Sequence, residues 1–86
     1  MQVAIPSPLL SYTNQLDRVE ANGTTLDELL HDLGRRYPGI RFRMINEQDE
    51  MRPHIIFFVG GTRTRNLEES LAGAGEVVLL HALSGG

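Results

Sequence analysis

Apolar and polar residues alternate in two short segments near the start of the chain. In residues 1–6, Val3 and Ile5 alternate with Gln2 and Ala4, and in residues 16–21, Val19 and Ala21 alternate with Arg18 and Glu20. Such alternation is typical of a strand with one face in a core and the other in water. Pro6 ends the first segment, Asn22-Gly23 favours a turn after the second, and residues 7–14 are expected to form a loop. We expect the two strands to pair antiparallel, with four residues facing inward: Val3, Ile5, Val19 and Ala21.

A helical period follows these strands. Leu26, Leu29, Leu30, Leu33 and Tyr37 recur three and four positions apart, which predicts a single apolar stripe on an α-helix. Thr25 and Glu28 fit a capping box at its start, and Pro38-Gly39 favours its end. The opposite face is expected to be solvated, and it carries Asp27, Glu28, His31, Asp32, Arg35 and Arg36.

The second half of the chain contains two strands that are apolar on both faces, residues 55–59 and 77–80. Such strands usually lie in the middle of a sheet. Residues 40–45 predict one more helical turn and residues 46–52 a polar loop, while Gly60-Gly61 favours a turn into a short strand at residues 62–65. The order of elements predicts an α+β fold, a mixed four- to five-stranded sheet packed on one main helix.

One helix can cover only one face of this sheet, so the other face should keep an exposed apolar patch. A monomer rarely keeps such a patch unless a partner docks on it. We expect Arg63 and Arg65 at its rim. As an alternative, residues 40–52 could fold over the same face. The patch is predicted to comprise Ile56, Phe58, Val78 and Leu80.

Composition narrows the functional classes. A chain of 86 residues predicts one domain, and the absence of cysteine excludes a disulfide framework, a zinc-cysteine site and a cysteine nucleophile. A net charge of −3 gives no reason to bind nucleic acid. The start of the chain does not resemble a signal peptide, and no apolar run approaches the ~20 residues that span a bilayer. We therefore expect a cytoplasmic protein with no nucleic-acid or membrane partner.

No set of side chains predicts a catalytic site. His31, His54 and His81 lie far apart in the sequence and lack the spacing of a metal site, so no metal is expected. Acidic residues occur as adjacent pairs, typical of solvated faces, and no serine lies in a nucleophile motif. The chain is therefore not expected to be an enzyme or to bind a cofactor.

The end of the chain offers different chemistry. Gly85-Gly86 follows a strongly predicted strand, and a terminal carboxylate becomes reactive once it is activated as an acyl-adenylate. Two glycines would let a bare backbone enter a narrow active site in whatever conformation is required. A frayed, functionless end is the alternative interpretation of the dipeptide.

Five segments of the chain carry a family resemblance: residues 24–30, 36–40, 52–59, 75–80 and 82–86. Taken in order, they resemble the β-grasp sulfur carriers. This family includes the small subunit of molybdopterin synthase, the thiamine sulfur carrier and the carrier that supplies sulfur for cysteine synthesis. The chain differs in having Gly60-Gly61 where many members have Asn-Gly, and His81-Ala82 where molybdopterin-type members often have prolines. Residues 5–10 look more like the cysteine-pathway carriers.

The resemblance implies a β-grasp domain at residues 1–83 and a flexible tail at residues 84–86. It further implies that a ubiquitin-activating-like adenylyltransferase uses ATP to adenylate Gly86. A sulfur donor then converts Gly86 to a thiocarboxylate, which serves a sulfur-accepting synthase of the cysteine, molybdopterin or thiamine type. Gly85, Ser84 and Leu83 would thread the partner's active site, and the chain could be the small subunit of such a synthase.

Two other functions remain open at this point. The chain could be a ubiquitin-like modifier that forms isopeptide bonds through Gly86, or a β-grasp interaction domain with an inert tail. All eight basic side chains are arginine and none is lysine. Genomic bias explains this simply; alternatively, it leaves an activated carboxyl no lysine of its own chain to acylate.

Overall fold

A mixed five-stranded sheet packs against two helices in the computed structural model, which describes residues 1–82. The sheet order is β2-β1-β5-β3-β4; β1 and β5 are parallel and the other neighbours antiparallel. This confirms the predicted α+β β-grasp fold. The elements are β1 (Gln2–Ala4), a 3₁₀ helix (Ser7–Thr13), β2 (Arg18–Glu20), α1 (Leu26–Arg36), α2 (Ile40–Met44), β3 (Ile55–Val59), β4 (Thr62–Thr64) and β5 (Glu76–His81).

The core lies between the sheet and the helices. The leucines of the α1 stripe are fully buried, as predicted, and Tyr37 packs partly buried against the same cluster. They pack against the inward-facing side chains of the strands, which occur at every second position. The two sets of apolar side chains together form one core. The strands and the residues directly after β1 and β2 contribute Val3, Ile5, Val19, Ala21, Ile55, Phe57, Val59, Val77 and Leu79 to this core.

Helix α1 begins at a polar cap. The Thr25 hydroxyl accepts a hydrogen bond from the Glu28 N–H at 3.3 Å, as predicted. The Glu28 carboxylate, however, accepts from the N–H and hydroxyl of Thr24, at 2.8 and 2.6 Å, where a capping box would use the Thr25 N–H. The first two N–H groups of α1 instead donate to carbonyl oxygens of Leu67 and Glu69. The loop after β4 thus satisfies donors that a helix start otherwise leaves free.

Two turns depend on glycine. Gly60 and Gly61 have φ values of 56° and 88° and join β3 to β4 in a two-residue hairpin, which favours glycine at both positions. At Gly23, an added Cβ would lie 2.4 Å from the Leu29 backbone nitrogen. Glycine is therefore required there because the loop before α1 passes directly against the helix backbone.

The structure corrects two local predictions. Residues 7–14 were expected to form a loop, but a 3₁₀ helix spans Ser7–Thr13 and buries Leu9 and Thr13. Asp32 was expected on the solvated face of α1, but only 7% of it is exposed. Its carboxylate turns back to the loop before α1 and accepts from the Asn22 N–H at 2.8 Å. Of the helices described, none is long and apolar enough to cross a membrane.

Candidate functional site

The last strand carries the chain end out of the middle of the sheet. β5 pairs with β1 on one side and β3 on the other. Beyond it, the Ala82 N–H donates to the His54 carbonyl oxygen at 2.8 Å. The backbone is thus paired with β1 as far as Val78 and held on the β3 side as far as Ala82. Leu83, Ser84, Gly85 and Gly86, to which the sequence assigns the chemistry, lie outside the described residues.

The sheet face opposite the helices carries apolar side chains in register. Val78 of β5 lies opposite Phe58 of β3, and Leu80 lies opposite Ile56. Ile56, Phe58 and Val78 are half-buried, while Leu80 is 42% exposed. We call Ile56, Phe58, Val78 and Leu80 the outer apolar face.

Helix α2 does not cover the outer apolar face. Ile40 and Met44 of α2, with Ile45 just after it, are buried in the core together with the leucines of α1. The segment at residues 40–45 therefore lies on the helix side of the sheet. The alternative prediction, that residues 40–52 fold over the outer face, is therefore wrong for residues 40–45.

The two predicted rim arginines differ in their surroundings. Arg63 is exposed on β4 opposite Phe58 and so borders the outer apolar face. Arg65 instead donates from its guanidinium to the carbonyl oxygens of Met51, Arg52, Pro53 and Ile55. Arg65 therefore tethers the loop before β3 to the end of β4.

A second group of side chains surrounds the point where β5 ends. The rings of His54 and His81 lie 4.4 Å apart, between centroids, at a tilt of 55°. The Arg52 guanidinium lies 4.7 Å from the centre of the Phe42 ring. Together with Arg43, these residues line one shallow recess. We call Arg43, Arg52, His54 and His81 the tail-base cluster.

The electrostatics of this cluster reflect its positive charges. Burial lowers the pKa of His54, and His81, Arg52 and Arg43 lower it further by charge repulsion. The Nδ1 atom of His81 is buried and has no hydrogen-bond partner within residues 1–82. The His54 imidazole thus lies in a positive environment that disfavours its protonation.

The sequence did not reveal the tail-base cluster. His54 and His81 are 27 positions apart and were treated as separate strand residues. They meet because β3 and β5 are antiparallel, so the residue before β3 lies beside the residue that ends β5. A correct pairing of the two apolar strands would have predicted the contact. Within residues 1–82, no three His, Cys, Asp or Glu side chains converge as a metal ion would need.

This geometry, a mixed sheet whose central strand carries a terminal segment, defines a ubiquitin-like β-grasp protein. The sequence matches the ThiS family over residues 3–86, and the chain therefore belongs to that family. No curated protein sequence matches.

Solved structures agree with this membership. A chain in the Amycolatopsis orientalis BexX/CysO complex is 30% identical, with a TM-score of 0.89, covering 99% of this chain and 98% of that one. Mycobacterium tuberculosis CysO, described as an antigen, is 26% identical, with a TM-score of 0.88 and coverages of 95% and 98%. Haloferax volcanii SAMP1 is 25% identical, with a TM-score of 0.78 and coverages of 100% and 98%. The protein is thus similar over its whole length to small sulfur-carrier and modifier proteins.

Proposed function

We propose that the chain is a sulfur carrier whose working group is the carboxylate of Gly86. The observation that carries this proposal is that the family match extends through residue 86 and so includes the Gly85-Gly86 end. The described fold is consistent with it, because β5, the last strand before that end in the sequence, lies in the middle of the sheet. The protein then acts as a cosubstrate that another enzyme modifies, with no cofactor of its own.

The proposed chemistry takes two steps. The Gly86 carboxylate oxygen attacks the α-phosphorus of ATP in an adenylyltransferase of the ubiquitin-activating type, and pyrophosphate leaves. A hydrosulfide equivalent from a sulfur donor then attacks the acyl carbon, and AMP leaves. The product is a thiocarboxylate whose sulfur passes to an acceptor synthase. Residues 5–10 favour an acceptor of the cysteine type over the molybdopterin and thiamine types.

Glycine is needed at the end of the chain for access. A Cβ at position 85 or 86 would restrict φ and ψ and add bulk where Leu83, Ser84 and the two glycines must thread the partner's active site. A misplacement of about 1 Å can cost roughly a hundredfold in rate, so Gly86→Ala should lower adenylation by about that factor.

Deletion of Gly86 tests the proposed function. The measurement is ATP–pyrophosphate exchange catalysed by the adenylyltransferase of the organism that makes this protein. We expect the deletion to abolish exchange while the urea-unfolding midpoint stays unchanged. Gly75→Ala is the matched control, since a Cβ there would meet nothing within 4 Å. If the deletion variant still supported exchange and sulfur transfer, the sulfur-carrier proposal would give way to an interaction domain with an inert tail.

We propose that the outer apolar face, with Arg63 and Arg65 beside it, docks the adenylyltransferase. Leu80→Ser removes the most exposed member of this face, and we expect it to weaken binding about tenfold, as loss of an interface anchor does. Stability should hardly change. Leu16→Ser is the matched control, because Leu16 is 53% exposed in the loop before β2. Equal binding by the two variants, measured by calorimetry, would argue against docking on this face.

A modifier function is the second candidate, favoured by the similarity to SAMP1, a small archaeal modifier protein. Both functions begin with adenylation of Gly86 and differ in the group that attacks next. An attacking protein amine gives an isopeptide bond. Conjugates that survive reductant would support the modifier; a free thiocarboxylate supports the carrier.

A further inference from the structure

The arginines of this chain fall into two sets. Four of them form ion pairs: Arg18 with Glu76 at 2.8 Å, Arg35 and Arg36 with Asp32, and Arg41 with Asp27 and Asp49 at 3.7 and 3.5 Å. Among the residues described, no carboxylate pairs with the other four. Those are Arg43, Arg52, Arg63 and Arg65. In a chain with net charge −3, this segregation leaves positive charge concentrated around β3 and β4.

Neutral groups hold two of these arginines in place. The Arg52 Nε donates to the Phe42 carbonyl oxygen at 2.8 Å while its guanidinium stacks on the Phe42 ring. Arg65 is held by backbone carbonyl oxygens. Such contacts satisfy hydrogen-bond donors without cancelling the charge. Both guanidiniums are therefore pre-ordered for an anion to approach.

Two of the arginines without a carboxylate partner, Arg43 and Arg52, lie near the end of β5. Arg43 and Arg52 lie close enough to His54 to lower its pKa, and His54 contacts His81 at the end of β5. Arg43 is exposed, and its guanidinium lies 6.0 Å from the centre of the Tyr12 ring. Ala82, the last described residue before the tail, donates its N–H to the His54 carbonyl oxygen, so we expect a protein that receives the tail to approach this cluster.

We propose that the tail-base cluster docks an acidic segment of the protein that receives the tail. The inference rests on the proposed function and adds to it a surface beside the tail exit, distinct from the outer apolar face. Carboxylates match the cluster because guanidinium groups bind them through paired hydrogen bonds. Electrostatic complementarity of this kind mainly raises the rate of association and the specificity of docking.

Chain length favours a protein carboxylate over the phosphates of ATP. The four residues after Ala82 span at most roughly 14 Å when extended. An extended tail would carry Gly86, and the nucleotide that it attacks, well away from the cluster. The cluster would then lie against the outer entrance of the partner's active site, where only protein is present.

The proposal has a consequence for pH. Residues from three parts of the fold face His54: Arg43 of α2, Arg52 before β3 and His81 of β5. In the free chain these groups oppose protonation of His54. An acidic segment would offset them and raise the pKa of His54, so docking should take up a proton. Affinity should therefore increase as the pH is lowered from about 7.5 to 6.

NMR titration of the full chain tests this without the adenylyltransferase or ATP, so the result is independent of Gly86 chemistry. The two probes are a hexaglutamate peptide and inorganic triphosphate, at low salt. We expect the peptide to shift the amide signals of the tail-base cluster, with tighter binding at pH 6. Arg43→Gln should weaken binding about two- to fivefold, whereas Arg18→Gln, which removes a paired arginine, should not.

Three results would overturn the proposal. Shifts at the cluster with triphosphate but not with the peptide would indicate a phosphate site. Peptide shifts spread evenly over the surface would indicate non-specific attraction. Equal binding by Arg43→Gln and Arg18→Gln would show that the cluster is not the recognising surface.

Discussion

Asp32 shows how one side chain can join two parts of the fold. Its buried carboxylate accepts from the Asn22 N–H and from the guanidiniums of Arg35 and Arg36. These contacts, the Asn22 hydrogen bond foremost, lower the pKa of Asp32 to about 2 despite burial, which acts in the opposite direction. The charged carboxylate thereby fixes the loop that passes against α1 at Gly23.

This pKa predicts how stability depends on pH. Because folding lowers the pKa of Asp32, the folded state gains stability from the charged form above the unfolded pKa of about 4. That gain is lost as the pH falls through about 2. Asp32→Asn should therefore be less stable than wild type at pH 7, by urea unfolding, and the difference should shrink toward pH 2. A difference that stays constant with pH would contradict this role.

Single residues were also where sequence reasoning reached its limit. A helical wheel assigns Asp32 to the polar face but cannot show that the preceding loop folds back over that position. Likewise, the sequence places Glu28 at the right spacing to cap α1 without revealing that Thr24 competes for its carboxylate. These contacts depend on the path of a loop, which local periodicity does not encode.

At the level of elements, the leucine stripe of α1 should supply much of the core energy. Leu30→Ala leaves a cavity at a fully buried site and should cost about 2–5 kcal/mol of unfolding free energy. That is large against the ~5–15 kcal/mol typical of a domain. Leu16→Ala, at a site 53% exposed, is the control and should have little effect. A loss below about half a kcal/mol for Leu30→Ala would be far under the core range and would mean that the stripe is not core.

Elements with strong periodicity were predicted well, and irregular ones were not. The α1 stripe, the two apolar strands and the Gly60-Gly61 hairpin all appear where the pattern placed them. The 3₁₀ helix at Ser7–Thr13 was missed because its proline and two serines are equally typical of a loop. Its role is to bring Leu9 to the core, a tertiary effect that short-range propensity does not predict.

For the whole molecule, the strand order bears on the role that we propose for the terminal segment. β5 lies between β1 and β3, and its pairing with β3 continues as far as His81, so the last described residues are anchored to the sheet on that side. The outer apolar face and the tail-base cluster both include residues of β5. A partner could therefore hold the sheet and receive the end of the chain in one docked geometry. The sequence predicted the outer face but not the cluster, which required the β3–β5 register.

The most direct test of the account is the intact mass of the protein after incubation with its adenylyltransferase, ATP and a sulfide donor. We predict a gain equal to the mass difference between one sulfur and one oxygen atom, located at Gly86 by fragmentation. The variant that lacks Gly86 should keep its original mass. An unchanged wild-type mass, in a reaction that demonstrably adenylates the chain, would contradict the sulfur-carrier account.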